Sequence, residues 1–214
     1  MSKSKSSLER VLMFVILSGI VGVSYFAFDL YKKILKINTC FGDNIKEQYI
    51  NIQSDDDFTD VISLLENKNL LVDVSSFKWV SEKKNYINNI KAGRYFINKN
   101  MNNNDLVNLL RSGRQSPVKV TFNNIRTLGE VSSKLSEFLE ADSNEIHKSF
   151  IDPNFLKKNN FNTNNIISVF IPNTYEFYWN TSAEKLRKRM LKEYNSFWNR
   201  TRRNKASKIN LTYA

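Results

Sequence analysis

The stretch QYINIQSDDDFTDVISLL, residues 48–65, changes its hydrophobic period once. Gln48 to Gln53 alternates polar with apolar, and Tyr49, Ile50 and Ile52 are β-formers, so this part predicts a strand. Ser54 and Asp55 to Asp57 then offer capping oxygens and negative charge for a helix start. Phe58, Val61, Ile62, Leu64 and Leu65 follow at helical spacing. A strand running straight into an amphipathic helix points to an α+β fold.

The same grammar continues downstream. Asn67 to Asn69 closes the first helix, and Ser75 and Ser76 precede a second with Phe77, Trp79, Val80 and Tyr86 as its apolar side. Lys91-Ala92-Gly93 turns into a strand at Arg94 to Ile97. Asn102 to Asn104 cap a helix over Asp105 to Arg111, and Ser112-Gly113 is a C-cap signal. Two strands backed by short helices are marginal alone. Further on, Ser116 to Phe122 alternates as a strand. Thr127 opens a helix carrying Leu128, Val131, Leu135, Phe138 and Leu139, and Asp142 to Glu145 opens a shorter one through Phe150. Asp152-Pro153-Asn154 reads as a turn and Lys157 to Asn165 as a polar loop. The apolar run Ile166 to Ile171 reads as a buried strand ended by Pro172 to Tyr175. Thr181 to Glu184 starts a last helix, with Leu186, Met190, Tyr194, Phe197 and Trp198 on one side.

Upstream, Val11 to Phe28 reads VLMFVILSGIVGVSYFAF without a charge. At about 1.5 Å per residue this comes close to the ~30 Å core of a bilayer. Lys3, Lys5 and Arg10 precede it, and Asp29, Lys32, Lys33 and Lys36 follow. Tyr25, Phe26, Phe28 and Tyr31 sit where an interfacial aromatic belt would lie. We expect a 1–10 cytoplasmic tail, a transmembrane helix over 11–31 and a body outside the cytoplasmic membrane. A cleaved leader would end in a small-x-small site, whereas this run continues into bulky aromatics. Lipid attachment at Cys40 fails because Ile37, Asn38 and Thr39 are not small.

Composition excludes several classes. One Cys and one His among 214 residues leave no disulfide framework and no structural zinc site, and no cofactor or metal is expected. The net charge of +11 accompanies 29 Asn, 22 Lys and 18 Ile, three residue types with A/T-rich codons. The charge therefore reflects coding bias more than a partner. Much of it lies between Thr181 and Asn210, where ten Lys/Arg face two Glu.

Three segments occur in a telling order after the apolar helix. They are Lys91-Ala92-Gly93-Arg94-Tyr95-Phe96 with Leu109-Leu110-Arg111-Ser112-Gly113, then the strand around Val118-Lys119-Val120, then Phe170-Ile171-Pro172-Asn173-Thr174-Tyr175 continuing to Thr181. Together they resemble the endolytic murein transglycosylases, the YceG-like family, in the wording of Bacteroidetes-type bacteria. The resemblance implies one membrane helix, a LysM-like murein-contacting subdomain over 40–115 and the N-terminal part of a transglycosylase domain over 116–214. It implies cleavage of nascent peptidoglycan glycan strands to 1,6-anhydromuramoyl ends, and cell-wall synthases as partners. The family's catalytic Glu belongs to a stretch that Lys208 to Ala214 leads up to. No residue here matches it, so no catalytic residue is carried over, and the chain reads as the front part of such an enzyme.

Candidate substrate contacts are Asn173, Thr174, Tyr175, Glu176 and Tyr95. Glu176 is the best carboxylate for a cleft edge, and its plainer reading is a solvated turn residue. Asn173 and Thr174 offer hydrogen bonds to a sugar, or cap the turn. Tyr95, Tyr175, Tyr178 and Trp179 offer stacking faces, or belong to the core. His147 reads as a surface helix residue. A murein-binding remnant without chemistry is one rival function. Binding of nucleic acid or anionic lipid through Arg200, Arg202, Arg203, Lys205 and Lys208 beside Trp198 is another. No nucleic acid is expected for a body outside the cytoplasm.

Overall fold

The computed structural model describes residues 7–41, 47–123 and 125–210. Parts of the expected tail, Lys3 and Lys5 among them, and the end of the Lys208 to Ala214 run lie outside those residues. The fold is α+β. Helix α1 (Ser7–Ile34) contains the apolar run, and its most apolar eighteen-residue window has a mean hydropathy of 2.3 and no buried share. It is long and apolar enough to cross a membrane. The chain divides into two compact units, the first comprising residues 1–50, 56–91 and 96–114, the second 51–55, 92–95 and 115–214.

The first unit contains α1, α2 (Phe58–Asn67), α3 (Val74–Lys83) and α4 (Asn103–Ser112). Strands β1 (Glu47–Ile52) and β2 (Gly93–Asn98) pair in a two-stranded sheet. The starts of α2, α3 and α4 are each an acceptor side chain meeting orphan amides. The Asp57 carboxylate accepts from the Thr59 and Asp60 amides in a capping box, and those bonds hold its pKa below the usual range. Asn102 caps α4 through the Asp105 amide, and Gly113 ends it at φ 71°. For α3 the cap is Asp73 rather than a serine, so the helix begins at Val74, ahead of both serines. Leu65, Leu70, Phe77, Leu106 and Leu110 are fully buried, each contributing about 1.5–3 kcal/mol over an exposed position.

A polar cluster joins α1 to this core. Asn103 is fully buried, and its Nδ2 donates to the Lys33 carbonyl at the end of α1 and to Ser76 Oγ, both at 2.8 Å. Its Oδ1 accepts from Asn38 Nδ2 at 2.7 Å, while Asn38 Oδ1 accepts from the Asp73 amide at 2.7 Å. The segment after α1 also bridges Leu71 and Asn102 through Thr39 and Ile37.

The second unit is built on β3 (Val118–Phe122) and β4 (Asn173–Phe177), paired antiparallel with Val118 opposite Phe177 and Phe122 opposite Asn173. Helices α5 (Leu128–Ser136), α6 (Ser143–Phe150), α7 (Pro153–Lys158), α8 (Ala183–Phe197) and α9 (Arg200–Lys208) surround it. Its core gathers Val120, Phe122, Val131, Leu135, Phe150, Ile166, Leu186 and Met190.

Several expectations are corrected. The Asp152-Pro153-Asn154 turn is the start of α7: Pro153 sits in the first helical turn, where its missing N–H costs nothing, and Asp152 caps the Phe155 amide at 2.7 Å. Ile166 to Ile171 is not a strand. Ile166–Val169 forms a 3₁₀ turn, and the strand is β4, immediately after it. Ile166, Val169 and Phe170 are the buried members, spaced three and four apart, which a continuous apolar run conceals. Helix α5 stops at Ser136, short of Leu139. The basic C-terminal helix is two helices, broken at Trp198, with Asn199 capping the Arg202 amide at 3.0 Å.

Left-handed backbone occurs at Asn69, Asn85, Asn160 and Asn210 as well as at Gly113. Gly93 has φ 145°, and a Cβ there would lie 2.1 Å from the Gln115 side chain, so only glycine fits.

Candidate functional site

Alternation along β3 and β4 decides which side chains are available. Val118, Val120, Phe122, Tyr175 and Phe177 face the core, and Lys119, Thr121, Thr174 and Glu176 face solvent. The register sets Lys119 opposite Glu176, with Nζ and Oε1 3.5 Å apart, and Thr121 opposite Thr174, with hydroxyls 2.8 Å apart. Lys134 Nζ donates to the Thr121 carbonyl at 2.6 Å. Asn173 is exposed, and its Oδ1 accepts the Thr174 amide at 2.8 Å. Asn173, Thr174 and Glu176 therefore share one exposed strand.

The other two candidates are enclosed. Tyr95 is fully buried, and burial pushes its phenol up to about 12. Tyr175 is 4% exposed and donates its hydroxyl to the Ile171 carbonyl at 2.7 Å. Its pKa is raised, first by burial and then by the Glu193 charge. Neither ring face is open to a sugar. Tyr178 is 57% exposed. Trp179 is half-buried, its carbonyl taking the Glu140 amide at 2.8 Å.

Beyond Glu176 the strand end opens into a cleft of about 360 Å³. Pro117, Glu176, Phe177, Tyr178 and Thr181 line one part of it, and Lys185 and Arg189, one turn apart on α8, line the other. Ser182 caps α8. Arg189 is paired with Glu193 at 2.6 Å, and Lys188 with Glu184 at 2.8 Å. The hydrogen bond from Lys188 holds Glu184 below the usual carboxylate range. The two cations were not singled out from sequence, although their four-residue spacing on the polar side of a helix was legible. Lys119 could be matched to Glu176 only once the register was known. His147 lies half-buried on α6 and is not among the cleft residues.

Such a cleft offers a carboxylate, two cations, a hydroxyl and an exposed aromatic ring. It suits a ligand rich in hydroxyl and carboxylate groups. Among the described residues no Asp or Glu is buried, and no cluster of three or more His, Cys, Asp or Glu can hold a metal.

No curated protein matches the chain. A 2.6 Å crystal structure of a yceG-like protein from Listeria monocytogenes is similar at 21% identity and a TM-score of 0.41, over 78% of this chain and 60% of that one. The chain thus spans about 60% of the length of the Listeria protein. The model of the YceG-like family matches residues 50–214, nearly everything after the apolar helix, and the chain belongs to that family.

Proposed function

We propose that the chain serves as a membrane-anchored murein lytic transglycosylase, held by α1 with its N-terminus in the cytoplasm and its body outside. It would act on nascent glycan strands and leave 1,6-anhydromuramoyl ends, limiting strand length during wall assembly. The observation that carries this reading is the family match over residues 50–214, downstream of a helix whose membrane-length apolar window has no buried share. Residues 40–115 would hold murein as a LysM-like unit, and cell-wall synthases would be the protein partners.

The reaction needs a carboxylic acid that protonates the glycosidic oxygen between N-acetylmuramic acid and N-acetylglucosamine. The C6 hydroxyl oxygen then closes onto C1, and the carboxylate takes that hydroxyl's proton. The acid is restored and no water is consumed. We assign this role to no residue of the chain. Asp57 and Glu184 are moved down, the wrong direction for a general acid. Glu176 is solvated and ion-paired. This favours, as a second reading, murein binding without chemistry by residues 1–214.

Digestion of purified murein separates the two readings. Residues 1–214 should retain murein and release no anhydromuropeptides detectable by mass spectrometry. The same chain extended by the family's Glu-bearing segment should release them. Release by residues 1–214 alone would place the acid within them, with Glu176→Gln as the next variant. No product from the extended chain would leave only the binding reading.

A further inference from the structure

Where α1 leaves its apolar stretch, the first unit presents side chains that a water-facing surface would not keep. Leu35 is 51% exposed, Ile37 52% and Val72 65%. They sit together, because the Val72 amide donates to the Asn38 carbonyl at 2.9 Å and Ile37 bridges Asn102. In the same unit Trp79 of α3 is flanked by two ammonium groups, Lys33 at 5.4 Å and Lys83 at 5.8 Å from its ring centre, and Lys33 is also paired with Asp29 at 2.7 Å. The Asn103 cluster fixes this surface to the end of α1, so it cannot swing away from the helix.

We propose that this collar is a seat for anionic phospholipid headgroups, so that the body rests in the interface of the bilayer as well as hanging from it. The proposal rests on reading α1 as a membrane span. Eighteen uncharged residues cover about 27 Å, against a full bilayer thickness of ~40–45 Å with headgroups. The remaining depth, about 7–9 Å a side, is taken up by Asp29 to Ile34, which puts Leu35 at the outer edge of the headgroup layer. Exposed apolar residues, a tryptophan and lysines at that level match the chemistry of the headgroup layer: apolar below, negative above.

Spin labels in lipid nanodiscs test the seat. The protein is the full chain carrying Cys40→Ser and Val72→Cys; Val72 is exposed, so the label displaces no packing. In nanodiscs containing phosphatidylglycerol, the label is expected to be shielded from a water-soluble nickel chelate relative to free label in buffer. Lys83→Glu is expected to shift the seated fraction about fivefold toward water, and phosphatidylcholine alone to do likewise. A label at Phe14→Cys reports the span separately. If Phe14 lies in hydrocarbon while position 72 is open to water, the seat is wrong and the span stands. If Phe14 is open to water the span is wrong, and shielding at 72 then keeps the seat as a surface contact while its absence ends it. Dipolar coupling between position 72 labels of two copies would assign the face to self-association and overturn the proposal.

Discussion

Asn103 in the first unit and Arg187 in the second both tie helices together from below the surface, and they do so at different cost. Asn103 is neutral, and its amide makes three hydrogen bonds, to Lys33, Ser76 and Asn38. Arg187 carries a charge with its side chain 15% exposed. It donates from one nitrogen to the Ser149 carbonyl near the end of α6, stands 3.9 Å from Asp152 and stacks on Phe155 at 4.4 Å, yet its Nε has no partner. A satisfied amide gives position without a desolvation debt. A half-satisfied guanidinium gives position while surrendering much of its attraction.

Removal of each group measures that difference. Asn103→Leu keeps the volume but removes the partner of the Lys33 carbonyl and of one Asn38 N–H, while Ser76 Oγ and the other Asn38 N–H keep the Asp73 carbonyl. It should cost about 3 kcal/mol in thermal unfolding of the full chain in detergent, and α1 should lose its fixed link to the core. Arg187→Met removes the guanidinium stacked on Phe155 while keeping an unbranched apolar stem, and should cost about 1–2 kcal/mol. An equal or larger loss from Arg187→Met would break the comparison.

Alkaline titration separates the units further. The Tyr95 phenol, in the second unit, titrates at about 12 when folded against 10 when unfolded. Below pH 10 both states keep the proton. Between 10 and 12 the unfolded chain gives it up first, so stability falls as pH climbs through that window. Tyr95→Phe should flatten the fall, measured as melting temperature against pH. Smallest of all, Lys119→Ala removes an ion pair whose side chains are 72% and 57% exposed. A shift below about 0.5 kcal/mol is expected. A larger shift would mean that the outer face of β3 and β4 is less solvated than it looks.

Local grammar made much of the fold legible. Asp57, Asn102 and Asp142 each announce a helix, and each caps one. The amphipathic strands at 48–53 and 116–122 show their buried sides without ambiguity. What failed was the apolar run at 166–171, where every residue looks buried, so period carries no information and a 3₁₀ turn reads as a strand. The candidate site was legible as a segment and not as a surface. Thr174 and Glu176 do share a face, whereas Asn173 is exposed at the strand's start opposite Phe122, and Tyr175 points into the core by the same alternation. Tyr95 is buried for a similar reason, with Ile97 on the same side of β2. Lys185 and Arg189 arrive through tertiary packing, which no pattern within β4 could reveal.

The left-handed positions show which folds remain within reach of a chain that has 6 glycines and 29 asparagines. Asn69, Asn85, Asn160 and Asn210 each follow a helix end, where an amide side chain tolerates φ near 50°. Two-residue hairpins are less forgiving, since their turns ask for glycine at fixed places. A vocabulary short of glycine can keep punctuating helices long after it has stopped writing tight hairpins. The strands accordingly pair across long connections, 50 residues between β3 and β4. Glycine restored at position 69 or 85 should raise stability by several tenths of a kcal/mol, a measure of what the substitute concedes at each helix end.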